Sequence, residues 1–191
     1  MHHGESNTTR TKLIARIALV TLLSALLWSA QPASADELGP AGGNGGTPES
    51  SKCNDNLVPD MVMVGIRVRA GSWLDRVYGL CARYDNGVRG QVLGAVGKIG
   101  GDGGQPFELF CPTNKALIGM KGRSSWYIDS LAIACASLNR DGSIKPGTTT
   151  WTSARGGTGG ASFGPLLCRD YPVNTLNGRG DSWVDRLSML C

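Results

Sequence analysis

The stretch GMKGRSSWYIDSLAIAC, from Gly119 to Cys135, decides the fold because the chain contains its pattern three times. The other two copies are GIRVRAGSWLDRVYGLC, which ends at Cys81, and TLNGRGDSWVDRLSMLC, which ends at Cys191. The copies align without a gap, which indicates a repeated supersecondary unit. The shared positions hold an arginine (Arg69, Arg123, Arg179), an aromatic residue (Trp73, Tyr127, Trp183), an apolar residue (Leu74, Ile128, Val184) and an aspartate (Asp75, Asp129, Asp185).

A second element, GGxGG, accompanies each copy. It is GGNGG at 42–46, GGDGG at 100–104 and GGTGG at 156–160, so the period is 58 residues and then 56. We place the three repeats at about 42–99, 100–155 and 156–191, and we expect residues near Asp36 to Ala41 to supply a strand that closes the last one. The sequence leaves open whether each glycine turn faces the aspartate of its own repeat or of a neighbouring one.

The first 35 residues have the pattern of a secretory signal peptide. Three basic residues precede a 14-residue apolar run, Ile17 to Ala30, and Ala33-Ser34-Ala35 follows it. A basic start, a short apolar centre and an A-x-A end are typical of such signals, and the run is too short to span a bilayer. We therefore expect 1–35 to be removed and 36–191 to form one domain that is secreted, or held in a periplasm or envelope, with no membrane contact.

The domain that follows has little net charge and no histidine. His2 and His3 belong to the leader, and 16 basic residues then face 14 acidic ones. This balance lacks the basic surface of a nucleic-acid-binding protein. The absence of histidine removes Ser-His and Cys-His nucleophiles and the commonest metal ligand. We therefore expect no nucleic-acid partner, no metal and no cofactor.

Each repeat has the pattern of β-strands. KALIGMKG and IDSLAIAC alternate apolar with small or polar residues, and GRSSW separates them as a turn. No run of ten or more residues with helical period follows the leader. The sequence therefore predicts an all-β domain of three antiparallel sheets with pseudo-threefold symmetry, a shared core and no helix outside the signal peptide.

The even number of cysteines in an exported chain favours disulfide bonds. Cys111 and Cys135 are equally far from Arg123, and residues equidistant from a hairpin turn face each other across the ladder within disulfide reach. The segment NDNLVPD would add a bulge or longer loop to the first hairpin. The predicted pairs are Cys53–Cys81, Cys111–Cys135 and Cys168–Cys191.

The combined pattern resembles the jacalin-related lectins. In that family GGxGG turns lead into strands, and a GRSG-aromatic-aromatic-apolar-Asp loop is similar to GRGDSWVD, GRSSWYID and VRAGSWLD here. The placement of the cysteines also resembles that of the vitelline membrane outer layer proteins. The resemblance covers essentially all of residues 36–191 and implies a type I β-prism.

In jacalin-related lectins the sugar lies between a GG turn and a Gly-x-x-x-Asp loop, and the resemblance implies that role here. Gly71 and Asp75 keep the full spacing, whereas Ser125 and Asp181 replace the glycine in the other two loops. We expect the carboxylates to point outward at the hairpin tips, where each accepts two sugar hydroxyls beside a ring that covers the C–H face. The candidate carbohydrate-binding residues are Gly45, Gly71, Ser72, Trp73, Asp75, Gly103, Ser125, Trp126, Tyr127, Asp129, Gly159, Asp181, Ser182, Trp183 and Asp185.

Other functions remain to be weighed against lectin-type binding of glycans. A structural coat or matrix protein of the vitelline membrane outer layer type would use the prism without a small ligand, and its aspartates would bond turn N–H groups. A glycoside hydrolase needs two carboxylates facing one bond, whereas each repeat supplies one, so we predict no enzymatic activity. Arg179-Gly180-Asp181 matches the integrin-recognition tripeptide, but only its arginine is a feature of the repeat. We therefore interpret the tripeptide as a coincidence of turn residues.

Overall fold

The computed structural model describes residues 36–53 and 61–191, and in these ranges it contains fourteen β-strands and no helix. The predicted leader at 1–35 and the segment NDNLVPD at 54–60 lie outside the described residues. The strands are β1 (Glu37–Gly42), β2 (Thr47–Lys52), β3 (Met61–Ala70), β4 (Leu74–Asp85), β5 (Val88–Gly94), β6 (Ile99–Gly100), β7 (Gln105–Phe110), β8 (Lys115–Ser124), β9 (Ile128–Ser137), β10 (Thr150–Trp151), β11 (Arg155–Gly156), β12 (Ala161–Leu167), β13 (Thr175–Gly180) and β14 (Val184–Leu190).

The strands form three antiparallel sheets, each built around one of the repeated hairpins. Sheet A has the order β1-β14-β13-β2. Sheet B has the order β5-β4-β3-β7, with β6 also paired to β4, and sheet C has the order β10-β9-β8-β12, with β11 also paired to β9. The molecule is therefore an all-β prism of three sheets, as the repeats predict.

One hydrophobic core lies between the three sheets. The repeated apolar position supplies one fully buried side chain from each sheet: Leu74 from sheet B, Ile128 from sheet C and Val184 from sheet A. Strand side chains alternate between faces, so the residues next to them along the strand point away from this core. Full burial of each such side chain contributes about 1.5–3 kcal/mol relative to leaving it in water.

The sheets are offset from the sequence repeats. The strands that flank GGNGG, β1 and β2, pair with β14 and β13 at the other end of the chain. Residues Glu37–Gly42 thus supply the strand that sheet A would otherwise lack. GGDGG joins β6 to β7 in sheet B, and GGTGG joins β11 to β12 in sheet C. GGDGG and GGTGG therefore each lie in the sheet of the hairpin that precedes them in the sequence. GGNGG lies in the sheet of the last hairpin, β13–β14.

Each disulfide bond joins two different sheets. The three predicted pairs are present, but the ladder argument for them was wrong, because Leu117 and not Cys111 lies opposite Cys135. Cys111 directly follows β7 of sheet B, and its N–H donates to Val64 of the same sheet. The first cysteine of each pair thus directly follows an edge strand of one sheet, and the second lies in or just after the hairpin of the next. The bonds are Cys53–Cys81 from A to B, Cys111–Cys135 from B to C, and Cys168–Cys191 from C to A.

Removing the bond between sheets B and C is expected to lower the free energy of unfolding by about 3 kcal/mol, the loop-closure entropy that a bond of this span takes from the unfolded chain. The variant is Cys111→Ser with Cys135→Ser, whose partners are 24 residues apart in sequence. Guanidinium chloride unfolding of the variant and the parent, followed by tryptophan fluorescence, measures the difference. A loss below about 1 kcal/mol would contradict the expected contribution.

Candidate functional site

The three hairpin tips meet at one end of the prism, where their aromatic side chains form a single cluster that we call the aromatic apex. The ring centroids of Trp73, Tyr127 and Trp183 are 5.7, 5.8 and 5.1 Å apart. These distances and the tilted planes are those of favourable aromatic pairs. Trp73 and Trp183 remain 38% and 37% exposed. The rings therefore stabilise the apex and leave part of their surface to solvent.

Each repeated arginine fixes one GGxGG turn. Arg123 donates from Nε to the carbonyl of Gly159 at 2.7 Å and from Nη2 to that of Gly160 at 2.6 Å. Arg69 and Arg179 make the same two bonds to the last two glycines of their turns. The planar guanidinium presents its donors as a rigid fork, so it holds both carbonyls at once. The recurrence of arginine in the sequence is explained by this role.

The repeated aspartates lie beneath the same turns. Asp75, Asp129 and Asp185 are 8%, 2% and 8% exposed, and the backbone carbonyl of each accepts the N–H of the second glycine at 2.7–2.8 Å. The expectation that the carboxylates point outward at the tips is therefore wrong. They pack against the last two glycines of the turn, and a Cβ on Gly159 would lie 2.4 Å from Oδ1 of Asp129. Only glycine leaves room for the carboxylate at this position.

Burial raises the pKa of two of these carboxyl groups. At Asp75 the loss of solvation raises the pKa, and the nearby charge of Arg69 opposes the shift. At Asp185 the loss of solvation is joined by repulsion from Asp181, and Arg179 opposes both. A raised pKa in the folded state means that ionisation costs stability. These two groups therefore contribute most to the free energy of unfolding below the ordinary aspartate pKa, and this contribution declines as the pH rises through the raised pKa.

Each glycine turn also contacts the tip of the neighbouring hairpin. A Cβ on Gly157 would lie 2.1 Å from the carbonyl oxygen of Ser72, although Gly157 belongs to sheet C and Ser72 to sheet B. Gly101 and Gly43 have the same relation to the carbonyls of Ser182 and Trp126. Three equivalent clefts result, each formed by a turn, the aspartate beneath it and the tip of the next sheet.

The cleft over Asp129 is an open pocket of about 400 Å³. Its residues come from two sheets: Gly71, Ser72 and Trp73 from the tip of sheet B, and Asp129 with Gly157, Thr158 and Gly159 from sheet C. The Oδ2 atom of Asp129 is buried and has no hydrogen-bond partner. Buried polar atoms nearly always have a partner, and the described residues supply none to this oxygen of a residue that lines the pocket.

The other two clefts carry an arginine that sheet C lacks. Arg76 donates to the carbonyl of Gly101 at 2.7 Å and pairs with Asp102, the central residue of its turn. Arg186 donates to the carbonyl of Gly43 at 2.9 Å and to Asn44. In sheet C the residue after the aspartate is Ser130, too short to reach Thr158 in the same way. The side chain that fastens the turn in sheets A and B is therefore absent from the Asp129 cleft.

The Arg179-Gly180-Asp181 tripeptide is engaged within the chain. Arg179 binds the carbonyls of Gly45 and Gly46, and Oδ1 of Asp181 accepts the N–H of Thr47 at 3.2 Å and its hydroxyl at 2.9 Å. Both charged side chains therefore already hold the first glycine turn in place. These contacts give the tripeptide a role in the fold that needs no receptor.

The structure brings candidate residues from different hairpins together in the same cleft. Gly71, Ser72 and Trp73 line a pocket with Asp129 and Gly159, not with the Asp75 of their own hairpin. Ser125, Ser182 and Gly103 occupy the equivalent places in the other two clefts, and Trp126 is 79% exposed. Sequence reasoning recognised the three turn-binding arginines and the fifth glycine of each turn as repeated positions but did not include them among the candidate site residues. Their strict recurrence was the signal that could have placed them there.

Within residues 36–53 and 61–191, no three His, Cys, Asp or Glu side chains are arranged to hold a metal ion. The same part of the chain has no helix that could cross a membrane.

No protein-family model and no curated protein sequence matches the chain. Solved structures with the same fold include Malaysian banana lectin, which is 20% identical with a TM-score of 0.57 over 82% of this chain and 97% of that one. A mannose-binding jacalin-related lectin from Ananas comosus is 21% identical with a TM-score of 0.56 (82% and 96% covered). A mannose-specific jacalin-related lectin from Morus nigra, in complex with mannose, is 15% identical with a TM-score of 0.59 (85% and 97% covered). The chain therefore has the β-prism fold of the jacalin-related lectins.

Proposed function

We propose that this protein is an extracellular glycan-binding protein whose principal sugar site is the Asp129 cleft. The observation that carries the proposal is the buried, unpartnered Oδ2 of Asp129, a residue that lines an open pocket of about 400 Å³. Small-molecule sites have about 300–1,000 Å³ and a few convergent polar groups among apolar ones. The pocket has a volume in this range and brings polar groups together beside one aromatic ring, that of Trp73. The solved examples of this fold include lectins described as mannose-binding.

The pocket supplies the groups that a sugar needs. An ionised carboxylate accepts two O–H donors, and each hydrogen bond to a charged group contributes about 1.5–3 kcal/mol. The hydroxyls of Ser72 and Thr158 donate or accept beside it, and the exposed part of Trp73 offers an apolar surface to the C–H face of the ring. One shallow site of this kind corresponds to millimolar affinity, about −4 kcal/mol.

The proposal concerns binding without catalysis. Acid–base hydrolysis of a glycosidic bond needs a second carboxyl group roughly 5–9.5 Å from the first, and Asp129 is the one carboxylate that lines this pocket. Export is proposed from the signal-like pattern of residues 1–35 together with the three disulfide bonds, because disulfides persist in oxidising compartments.

A glycan array with the oxidised protein tests the proposal directly. We expect binding to a restricted set of neutral glycans, and we expect the corresponding free monosaccharide to compete for it at millimolar concentration. The amide signals of Ser72 and Gly157 in NMR should shift during titration with that monosaccharide. Silence across the array from protein with an intact fold would overturn the proposal.

A structural coat or matrix protein is the second candidate, and the buried turn contacts favour it. Every repeated arginine and aspartate already engages a glycine turn, so their recurrence is explained without a ligand. A protein of this kind would stay on an extracellular surface in the presence of free sugars. Release of the surface-bound protein by a competing glycan would contradict this second candidate.

A further inference from the structure

The outer face of sheet B carries a pocket beside the Asp75 cleft, and two of its residues, Arg69 and Arg76, also hold the glycine turn of that cleft. The pocket has a volume of about 240 Å³, and it lies over two adjacent rows of cross-strand neighbours, with Val68 and Phe107 between them. The first row consists of Tyr78, Arg67 and Glu108, and the second of Arg76, Arg69 and Pro106.

The first of these rows is specific to sheet B. Sheet A repeats the second row as Arg186, Arg179 and Pro48, but in place of Tyr78, Arg67 and Glu108 it has Ser188, Asn177 and Ser50. In sheet C the position of Tyr78 is Ala132, opposite Lys121. Sheets A and C are therefore built without this row.

Positive charge is concentrated around the pocket. Arg69 lies directly opposite Arg76 across the ladder, and Arg67 lines the same pocket. Like charges directly opposite each other are unfavourable. Glu108 pairs with Arg67, and Asp102 of the neighbouring glycine turn pairs with Arg76, so two of the three arginine charges have a carboxylate partner. A bound anion would offset the remaining repulsion.

The side chains of the first row are held in a fixed arrangement at the surface. Arg67 donates from Nε to Glu108 at 2.5 Å and from Nη1 to the hydroxyl of Tyr78 at 2.6 Å, and its guanidinium carbon is 5.7 Å from the centroid of the Tyr78 ring. The side chains of Arg67 and Glu108 are nevertheless 52% and 51% exposed. The guanidinium is thus oriented before a ligand arrives and remains accessible to it.

We propose that this pocket binds an acidic sugar residue, a pyranose that bears a carboxylate or a sulfate. Arg67 uses Nε and Nη1 within its row, so its Nη2 is the nitrogen that would donate to the carboxylate or sulfate. Tyr78 and Pro106 offer apolar ring surfaces to the C–H face of the sugar. The volume lies below the range of drug-sized sites, which fits one monosaccharide unit. This site is carried by residues separate from the Asp129 cleft and does not depend on it.

Two substitutions test the site in opposite directions, and each introduces the residue that sheet A carries at the same place. Arg67→Asn should weaken binding of an acidic sugar by about tenfold or more, because a charge-assisted bond is lost. Glu108→Ser should tighten it by about threefold, because a repelling carboxylate is removed. A purely structural role for the Arg67–Glu108 pair predicts no gain in Glu108→Ser.

The probes are methyl glucuronoside, galactose 6-sulfate, inorganic sulfate and, as the neutral match, methyl glucoside. Titration of the full oxidised domain, followed by the NMR amide signals of Val68 and Phe107, gives each dissociation constant. We expect both acidic sugars to bind and to respond to the two substitutions, and we expect methyl glucoside to leave these signals unchanged.

Any of three results overturns this proposal: equal binding of glucoside and glucuronoside, inorganic sulfate binding as tightly as galactose 6-sulfate, or acidic-sugar binding that survives Arg67→Asn. Asp129→Asn should leave the titration with acidic sugars unchanged. Absence of acidic-sugar binding at this pocket can therefore be distinguished from absence of neutral-glycan binding at the Asp129 cleft.

Discussion

Asp129→Asn is expected to reduce affinity for the array-selected neutral glycan by at least about tenfold, because the charged acceptor is lost while the size of the side chain is kept. The carboxylate is the group in the pocket that can accept two hydroxyls at once. Isothermal titration or the NMR titration of Ser72 and Gly157 measures the change. Near-ultraviolet circular dichroism checks that the aromatic apex is unaltered.

Asp75→Asn is the informative comparison for this variant. Asp75 keeps the Gly-x-x-x-Asp spacing with Gly71, and on sequence alone Asp75→Ala is the substitution expected to cost the most binding. In the structure its turn is fastened by Arg76, which binds Gly101 and Asp102. We therefore expect Asp75→Asn to weaken binding less than Asp129→Asn. The reverse order would move the principal site to the Asp75 cleft.

Gly156→Ala is expected to destabilise the prism by about 4 kcal/mol or more, a cost that single substitutions rarely reach. Gly156 has a φ of +113°, and an added Cβ would lie 2.2 Å from the carbonyl oxygen of Asp129 and 2.9 Å from Cδ1 of Leu74. The backbone of β9 cannot move aside without breaking the ladder of sheet C. Urea unfolding of the oxidised protein, or the absence of folded protein, reports the effect.

Gly142→Ala is the matched control. Gly142 also has a positive φ, +83°, but an added Cβ there would meet no atom within 4 Å. Its cost should be only that of the left-handed conformation, about 1–2 kcal/mol. Similar losses in the two variants would show that the close packing of the glycine turn on the aspartate contributes little to stability.

Sequence reasoning identified most residues of the clefts but not which of them share a cleft. The repeated aspartates, the glycine turns and the tip residues were all identified from their fixed spacing. The grouping of these residues into clefts was not predicted, because Ser72 and Gly157, which share a cleft, are far apart in the chain and lie in different sheets. Burial of the carboxylates was also missed, because a residue next to a turn has no neighbour in sequence that reveals what covers it.

By itself, the sequence determined the strands and the three hairpins. The three cysteine pairs were also predicted correctly, but from a position across the ladder that the structure contradicts. Period-two alternation fixes which face of a strand is apolar, and three gapless copies ending in cysteine fix the repeat. These properties are local, so they can be read along the chain without knowing what packs against it.

Only the tertiary structure decided which parts of different repeats meet. Closure of the ring brings Thr47 to Asp181, 134 residues away, turns each disulfide into a bond between sheets, and gathers three aromatic rings at one apex. The physical reason is that each sheet buries its apolar face only against the other two. The contacts along their edges follow from that shared core and not from any local pattern.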